Sequence, residues 1–257
     1  MFKEKTRDLF IPYIMAGDPS SEATVQIALT LQQSGAVALE LGVPFSDPLA
    51  DGPVIQRAGM RALEAGMTLK KAIELVEEMR QSGVEIPIII FTYYNPVLQL
   101  GKEYFISLLL HSGADGALIP DLPYEESKAL KQMFQRNGLS LISLLAPTSK
   151  ERMERISKEA DGFLYCISSL GVTGERENFH ENLQTFVSTA KQYATVPVVI
   201  GFGISNREQV KQMQQLSDGV IIGSAIVREI EQLSPLFQTD EERAIEQLRL
   251  FIQKLIE

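Results

Sequence analysis

Short apolar runs alternate along this chain with longer stretches in which apolar residues recur every three or four positions. The runs are residues 10–16 "FIPYIMA", 37–43 "VALELGV", 86–93 "IPIIIFTY", 116–122 "GALIPDL", 139–146 "LSLISLLA", 162–168 "GFLYCIS", 196–202 "VPVVIGF" and 219–226 "GVIIGSAI". They predict eight strands. The stretches between, such as 20–35 and 68–83, read as amphipathic helices whose closing glycines suit a left-handed stop. A weak internal repeat, "QSGAVALEL", "QSGVEIPIII", "HSGADGALIP" and "LSDGVIIG", ends a helix and launches a strand each time. Eight such units in 257 residues predict an α/β fold, a single (β/α)8 TIM-type barrel spanning residues 1–257, rather than an open dinucleotide-binding sheet. No flexible linker or composition shift marks a second domain.

In such barrels chemistry sits at the C-terminal ends of the strands and in the loops after them. The second run, "LELGVPFSDPLADGP" at 39–53, carries an acid inside an apolar strand. If Ala36, Ala38, Glu40 and Gly42 share one face and Val37, Leu39, Leu41 and Val43 the other, the bulky face packs on helices and Glu40 points into the barrel. Burial raises a carboxyl's pKa and so tunes it for proton transfer near neutral pH, although a carboxyl satisfied by a structural hydrogen-bond network is the plainer alternative. The loop that follows is stiffened by Pro44, Pro48 and Pro53 and holds Asp51 at a defined place, as an acid of the site or as the cap of the next helix. Asp47 reads as turn chemistry. Tyr13, Tyr93, Asn95, Asp121 and Tyr165 lie at other strand ends, where core packing is the ordinary role of the tyrosines.

No predicted strand contains a lysine, so an imine mechanism has no nucleophile in the barrel mouth. Neither histidine lies in a strand: His111 is on a predicted helix and His180 in or near the loop after the sixth strand. Carboxylate acid/base chemistry remains. "GFGIS" (201–205), with Ser205 as a helix cap, and "GSAIV" (223–227) each join a strand to a helix, and paired helix N-termini after strands seven and eight make a phosphate cradle. The polar, glycine-bearing segment 168–179 reads as a lid over that site or as a plain surface loop.

Charge narrows the partners. With 24 basic and 33 acidic residues the net charge is −9, the wrong sign for nucleic acid or an anionic membrane. One cysteine, Cys166, and two histidines are too few for the usual zinc cage or an internal disulfide, and no run is long enough to span a bilayer. A cytoplasmic protein with no metal is expected.

The blocks "LELGVPFSDPLADGPVIQ", "YCISSLGVTG", "GFGIS" and "GSAIV", with "PYIMAGDPS" and "IPDLPYEES", closely resemble the tryptophan synthase alpha subunit over essentially the whole chain. The resemblance implies retro-aldol cleavage of indole-3-glycerol phosphate to indole and glyceraldehyde 3-phosphate, with the indole ring as electron sink in place of a lysine. It implies Glu40 as the acid/base, Asp51 as acceptor of the indole N–H, and Tyr165 as the active-site tyrosine. Thr173 matches the lid threonine that helps hold Asp51. Gly174, Gly203, Gly223 and Ser224 match the phosphate positions, with Phe202 beside them. Tyr13, Ile55, Phe91, Tyr93, Leu118 and Pro120 match the indole pocket. Tyr13 and Phe91 stand where the family carries other apolar or aromatic groups, Pro120 where alanine is usual, and little room precedes strand one for the family's barrel-plugging helix. The resemblance further implies a beta-subunit partner in an alpha-beta-beta-alpha complex; the beta subunit carries pyridoxal phosphate, this chain carries no cofactor, and loop 44–53 with Asn95 and Pro96 faces the partner.

Three rivals stand beside this reading. A phosphosugar isomerase or epimerase needs a histidine metal set or a second strand-borne base, and a purely regulatory binding subunit has no use for a buried carboxyl under its ligand. A stand-alone indole-3-glycerol phosphate lyase shares the active site and differs only in turnover without a partner.

Overall fold

The structure, a computed structural model, describes residues 6–167, 176–201 and 203–256, with the backbone alone for 176–181. The elements run β1 (Leu9–Met15), α1 (Ser21–Gln33), β2 (Leu39–Gly42), α2 (Pro53–Glu64), α3 (Leu69–Gln81), β3 (Ile88–Phe91), α4 (Tyr94–Leu100) and α5 (Lys102–Ser112). They continue β4 (Gly116–Leu118), α6 (Tyr124–Arg136), β5 (Ser140–Leu145), α7 (Lys150–Lys158), β6 (Leu164–Ile167) and α8 (Arg176–Tyr193). The last are β7 (Val198–Gly201), α9 (Arg207–Leu216), β8 (Gly219–Ile222), α10 (Ser224–Thr239) and α11 (Glu241–Ile256). The strands pair in parallel in chain order, and β8 closes on β1, so the sheet is the closed (β/α)8 barrel that the eightfold alternation predicts.

The repeated Ser-Gly ends of α1, α3 and α5 place Gly35, Gly83 and Gly113 at φ of 92°, 100° and 79°, the left-handed stop a Cβ disfavours. Another repeat secures the lower rim. Asp115, just before β4, accepts from Ile88 N at 2.8 Å and from Arg80 at 2.7 Å, and Asp218, just before β8, accepts from Val198 N at 2.9 Å and from Lys191 at 2.7 Å. Each aspartate thus supplies an acceptor for the first amide of the preceding strand.

Several strands are shorter than their apolar runs. The eighth run turns helical after Ile222, and Ala225, Ile226 and Val227 are buried on α10 instead, because a short apolar run does not distinguish a buried strand from a buried helix turn. The fourth ends at Leu118, where the chain turns ahead of Pro120 and Pro123, and Leu122 N bonds back to Ile119 O at 3.2 Å. Residues 176–179 begin α8 rather than finishing a loop, His180 is on that helix, and 168–175 lie outside the described residues.

Two cores result. Alternate strand residues face the helices in the outer core. The others fill the barrel: Leu9, Ile11, Ala38, Ile89, Leu118, Ile142, Phe163, Val199 and Ile221 form one buried inner cluster. Leu39, Leu41 and Val43 pack outward as the β2 alternation requires, but Ala36 joins the outer core and Val37 the inner one, because the chain bends at 37 and 38 before the strand begins. Phe163, Leu9 and Ala38 are fully buried at the lower end, and residues 1–5 lie outside the described part.

Candidate active site

Side chains on a strand alternate, so the next inward residue above each member of the inner cluster lies two positions further on. That rule generates the mouth: Tyr13 above Ile11, Glu40 above Ala38, Phe91 above Ile89, Pro120 above Leu118, Leu144 above Ile142, Tyr165 above Phe163 and Gly223 above Ile221. All of them line one cavity of about 240 Å³ at the C-terminal end of the barrel. Ala50, Asp51, Gly52 and Ile55 close one side, and Gly203, Ile204 and Ser224 the other. A larger hollow of about 640 Å³ lies between α7 and α8, lined by residues such as Thr148 and Phe186, with no acid among its described lining residues.

Glu40 is 1% exposed, and its Oε1 has no hydrogen-bond partner among the described residues. Burial pushes its carboxyl up to about 8. No structural network among the described residues satisfies that oxygen.

Asp51 stands above it on the loop. Asp47 O accepts from Leu49 N at 2.9 Å, and Pro48 O accepts from Asp51 N at 3.1 Å, so the proline-rich loop is folded into successive turns. The cap of α2 is Gly52, with Pro53 in the first turn, which leaves the Asp51 carboxylate free of capping duty. Burial raises that carboxyl to about 6, against a hydrogen bond from the Tyr93 hydroxyl that lowers it. The same Tyr93 oxygen accepts from Ala50 N at 3.0 Å, and its ring stacks on Phe45 at 5.1 Å. Tyr93 therefore fixes the loop to the barrel rather than lining the cavity. Near pH 7 the mouth holds a protonated carboxyl, Glu40, below an ionised one, Asp51.

Tyr165 is partly buried on the far wall, its phenol raised by burial and then by Glu40. Gly223 caps the 16-residue α10, whose first amides, beginning at Ser224, have no intrahelical acceptor and face the cavity. Gly203, at φ 76°, sits beside it, while α9 is capped by Asn206, which accepts from Gln209 N at 3.0 Å, in place of the expected Ser205. Ser205 instead donates to Gln209 Oε1 from its amide at 2.8 Å and its hydroxyl at 3.1 Å. Leu118 belongs to the layer beneath the cavity. Thr173, Gly174 and Phe202 lie outside the described residues. Asp121 accepts from Tyr94 N at 2.8 Å, and Asn95 is exposed on α4. Cys166 is buried, and His111 is exposed 4.0 Å from Glu77.

One network near the site has no signal in the local sequence. Arg61 on α2 grips Asp18 with two bonds of 2.8 Å and reaches Glu231 on α10 at 2.7 Å, and Arg57 meets the same glutamate at 2.7 and 2.8 Å. It ties the helix after Asp51 to the helix that offers its N-terminus to the cavity. Arg57 and Arg61 hold the Glu231 carboxyl at about 2.

Fold and site together define a (β/α)8 barrel with two mouth carboxyls, one buried and one on a braced loop, facing a helix N-terminus suited to an anion. Residues 1–256 match the family model described as tryptophan synthase alpha chain. The chain is 60% identical over 235 residues to the tryptophan synthase alpha chain of Geobacillus kaustophilus (strain HTA426), covering 91% of this chain and 88% of that one. It is 56% identical over 246 residues to that of Bacillus subtilis (strain 168), covering 95% and 92%. Among solved structures, the subunit alpha from Legionella pneumophila str. Paris superposes with a TM-score of 0.86 at 36% identity, over 97% of this chain and 91% of that one. A chain of the tryptophan synthase a2b2 complex from Pyrococcus furiosus gives 0.86 at 36% identity, over 100% and 99%. The chain belongs to the tryptophan synthase alpha chain family. No described helix is long and apolar enough to cross a membrane.

Proposed function

We propose that this chain cleaves indole-3-glycerol phosphate to indole and glyceraldehyde 3-phosphate, a carbon–carbon lyase reaction. The observation that carries the reading is Glu40: a buried carboxyl raised to about 8, whose Oε1 has no partner among the described residues, in the cavity that Asp51 also lines. The phosphate sits on the first amides of α10 beside Gly203. The family resemblance assigns Gly174 to the phosphate and Thr173 to Asp51, and both lie outside the described residues. The indole lies between Phe91, Ile55, Leu144 and Pro120. Protonated Glu40 gives its proton to indole C3, and the positive charge that develops on the ring N–H is met by the Asp51 carboxylate. The Glu40 carboxylate so formed takes the proton from the hydroxyl on the adjacent carbon. That carbon's bond to C3 breaks, the electron pair returns to the ring, indole and the aldehyde leave, and Glu40 is again protonated. The ring takes up the electrons that an imine lysine would otherwise hold.

The same reading gives the chain a beta-subunit partner in an alpha-beta-beta-alpha complex in the cytoplasm. The partner carries pyridoxal phosphate and receives the indole. The Pro44–Pro53 loop then has two uses: its inner side places Asp51, and its outer side, where Leu49 is 95% exposed, docks the partner together with the Asn95 turn. The test is indole release from indole-3-glycerol phosphate by the purified chain, with and without a beta subunit, alongside Glu40→Gln. Release that rises with the partner and falls at least about a hundredfold in the variant is expected. No release under either condition refutes the lyase reading, and full turnover with no response to the partner favours the stand-alone lyase.

A further inference from the structure

The inward positions at the ends of β8, β1 and β2 carry side by side Gly223, the cap of α10, then Tyr13, then Glu40 with Gly42 above it. Tyr13 leans across this row because both flanking positions lack a side chain. A Cβ on Gly223 would stand 3.4 Å from the Tyr13 Cβ, and one on Gly42 only 2.0 Å from its hydroxyl oxygen. The side chain therefore starts beside the helix N-terminus and ends over the strand that carries Glu40. Phe91 meets the ring edge-on, with centroids 5.4 Å apart at 88°, and fixes its tilt.

Tyr13 is 6% exposed, lines the cavity, and makes no hydrogen bond to any described residue. On the neighbouring strand, the Glu40 Oε1 is buried with no partner among the described residues. Buried polar atoms are nearly always paired, so this oxygen and the Tyr13 hydroxyl, which lines the same cavity without a hydrogen bond to a described residue, mark where a ligand supplies the partners. The spacing says which part of the ligand. With the phosphate at α10 and the scissile bond at Glu40, the middle carbon of a glycerol phosphate chain lies between them, along the Tyr13 side chain that spans the same interval.

We propose that the Tyr13 hydroxyl binds the middle hydroxyl of the substrate's three-carbon chain, so that Tyr13 selects indolyl phosphates carrying a hydroxylated chain over those with a bare one. The proposal rests on the lyase reading, in which the phosphate, the indole N–H and the hydroxyl on the reacting carbon already have partners and the middle hydroxyl has none.

The test uses Tyr13→Phe, which keeps the ring against Phe91 and both glycines and removes only the oxygen. Calorimetry compares two uncleavable probes, 3-(indol-3-yl)propyl phosphate and its 2-hydroxypropyl relative, on both proteins. The unaltered chain is expected to bind the hydroxylated probe about tenfold more tightly than the bare one, and the variant to bind the two alike with its affinity for the bare probe unchanged. The variant's kcat/KM for indole-3-glycerol phosphate falls by a similar factor. A variant that keeps the preference overturns the proposal, and so does one that loses affinity for both probes equally, since that reports packing. If the unaltered chain cleaves the substrate while either of these holds, only the role of Tyr13 is withdrawn. If it binds neither probe and releases no indole, the lyase reading itself falls.

Discussion

Glu40→Gln is expected to stabilise the folded chain at neutral pH while removing its activity. The carboxyl is 1% exposed, and burial lifts it from an ordinary 4.5 to about 8. Below pH 4.5 it is protonated in folded and unfolded chains alike. Between 4.5 and about 8 the unfolded chain has released this proton and the folded chain has kept it, so stability falls as pH rises. At about 1.4 kcal/mol per pH unit, the loss is roughly 3 kcal/mol at pH 7 and roughly 5 kcal/mol where the folded group finally ionises. Glutamine has nearly the same shape and does not titrate, so the variant lacks this slope. Any cost of burying its amide is independent of pH, and the other carboxyls titrate in both proteins. The chain has no tryptophan, so unfolding in guanidinium chloride is followed by far-ultraviolet circular dichroism across the range from about pH 5 to about pH 8. The stability of the variant minus that of the unaltered chain should grow by about 1.4 kcal/mol for each pH unit. A difference that stays constant over this range refutes the reasoning, because Glu40 would then be as well solvated in the fold as outside it.

Tyr93→Phe removes the hydrogen bond that holds the Asp51 carboxyl down against its burial, so that carboxyl climbs above about 6 and the acid limb of kcat/KM moves to higher pH. An unmoved limb means that Tyr93 does not bear on the working carboxylate. Arg61→Ala leaves Asp18 buried without its cation and should cost about 3–5 kcal/mol in urea unfolding, whereas Asp18→Asn with Arg61→Met should recover most of that loss. Equal losses would show that packing, not charge, is at stake. Asp47→Ala or Pro48→Ala is expected to weaken activation by a beta subunit more than substrate binding. Titration of the beta subunit with unchanged affinity and activation would count against a docking role for the loop.

The strand count, the inward aim of Glu40 and the absence of a strand lysine are legible because they depend on period alone: a two-residue alternation places a side chain inside or outside wherever the strand lies. Boundaries are less legible. The chain leaves β8 at Ile222 because Gly223 caps a helix, and "SAIV" is as apolar as the strand before it. The same run of letters serves either element, and only the closure of the barrel over that stretch decides between them.

The sequence by itself determined that an acid would lie inside a barrel mouth, that a proline-stiffened loop would hold a second acid near it, and that a glycine would open the helix after the last strand. Each of these follows from neighbours within a few residues. Tertiary structure alone decided that Tyr93 reaches back 43 positions to Ala50, that Arg61 meets Glu231 across 170, and that Tyr13 lies between Gly223 and Gly42. The first exists because β3 pairs with β2, and the other two because β8 pairs with β1 and closes the ring, which brings the two ends of the chain's order into one row of side chains. No local pattern encodes such a row; it forms only when the last strand finds the first.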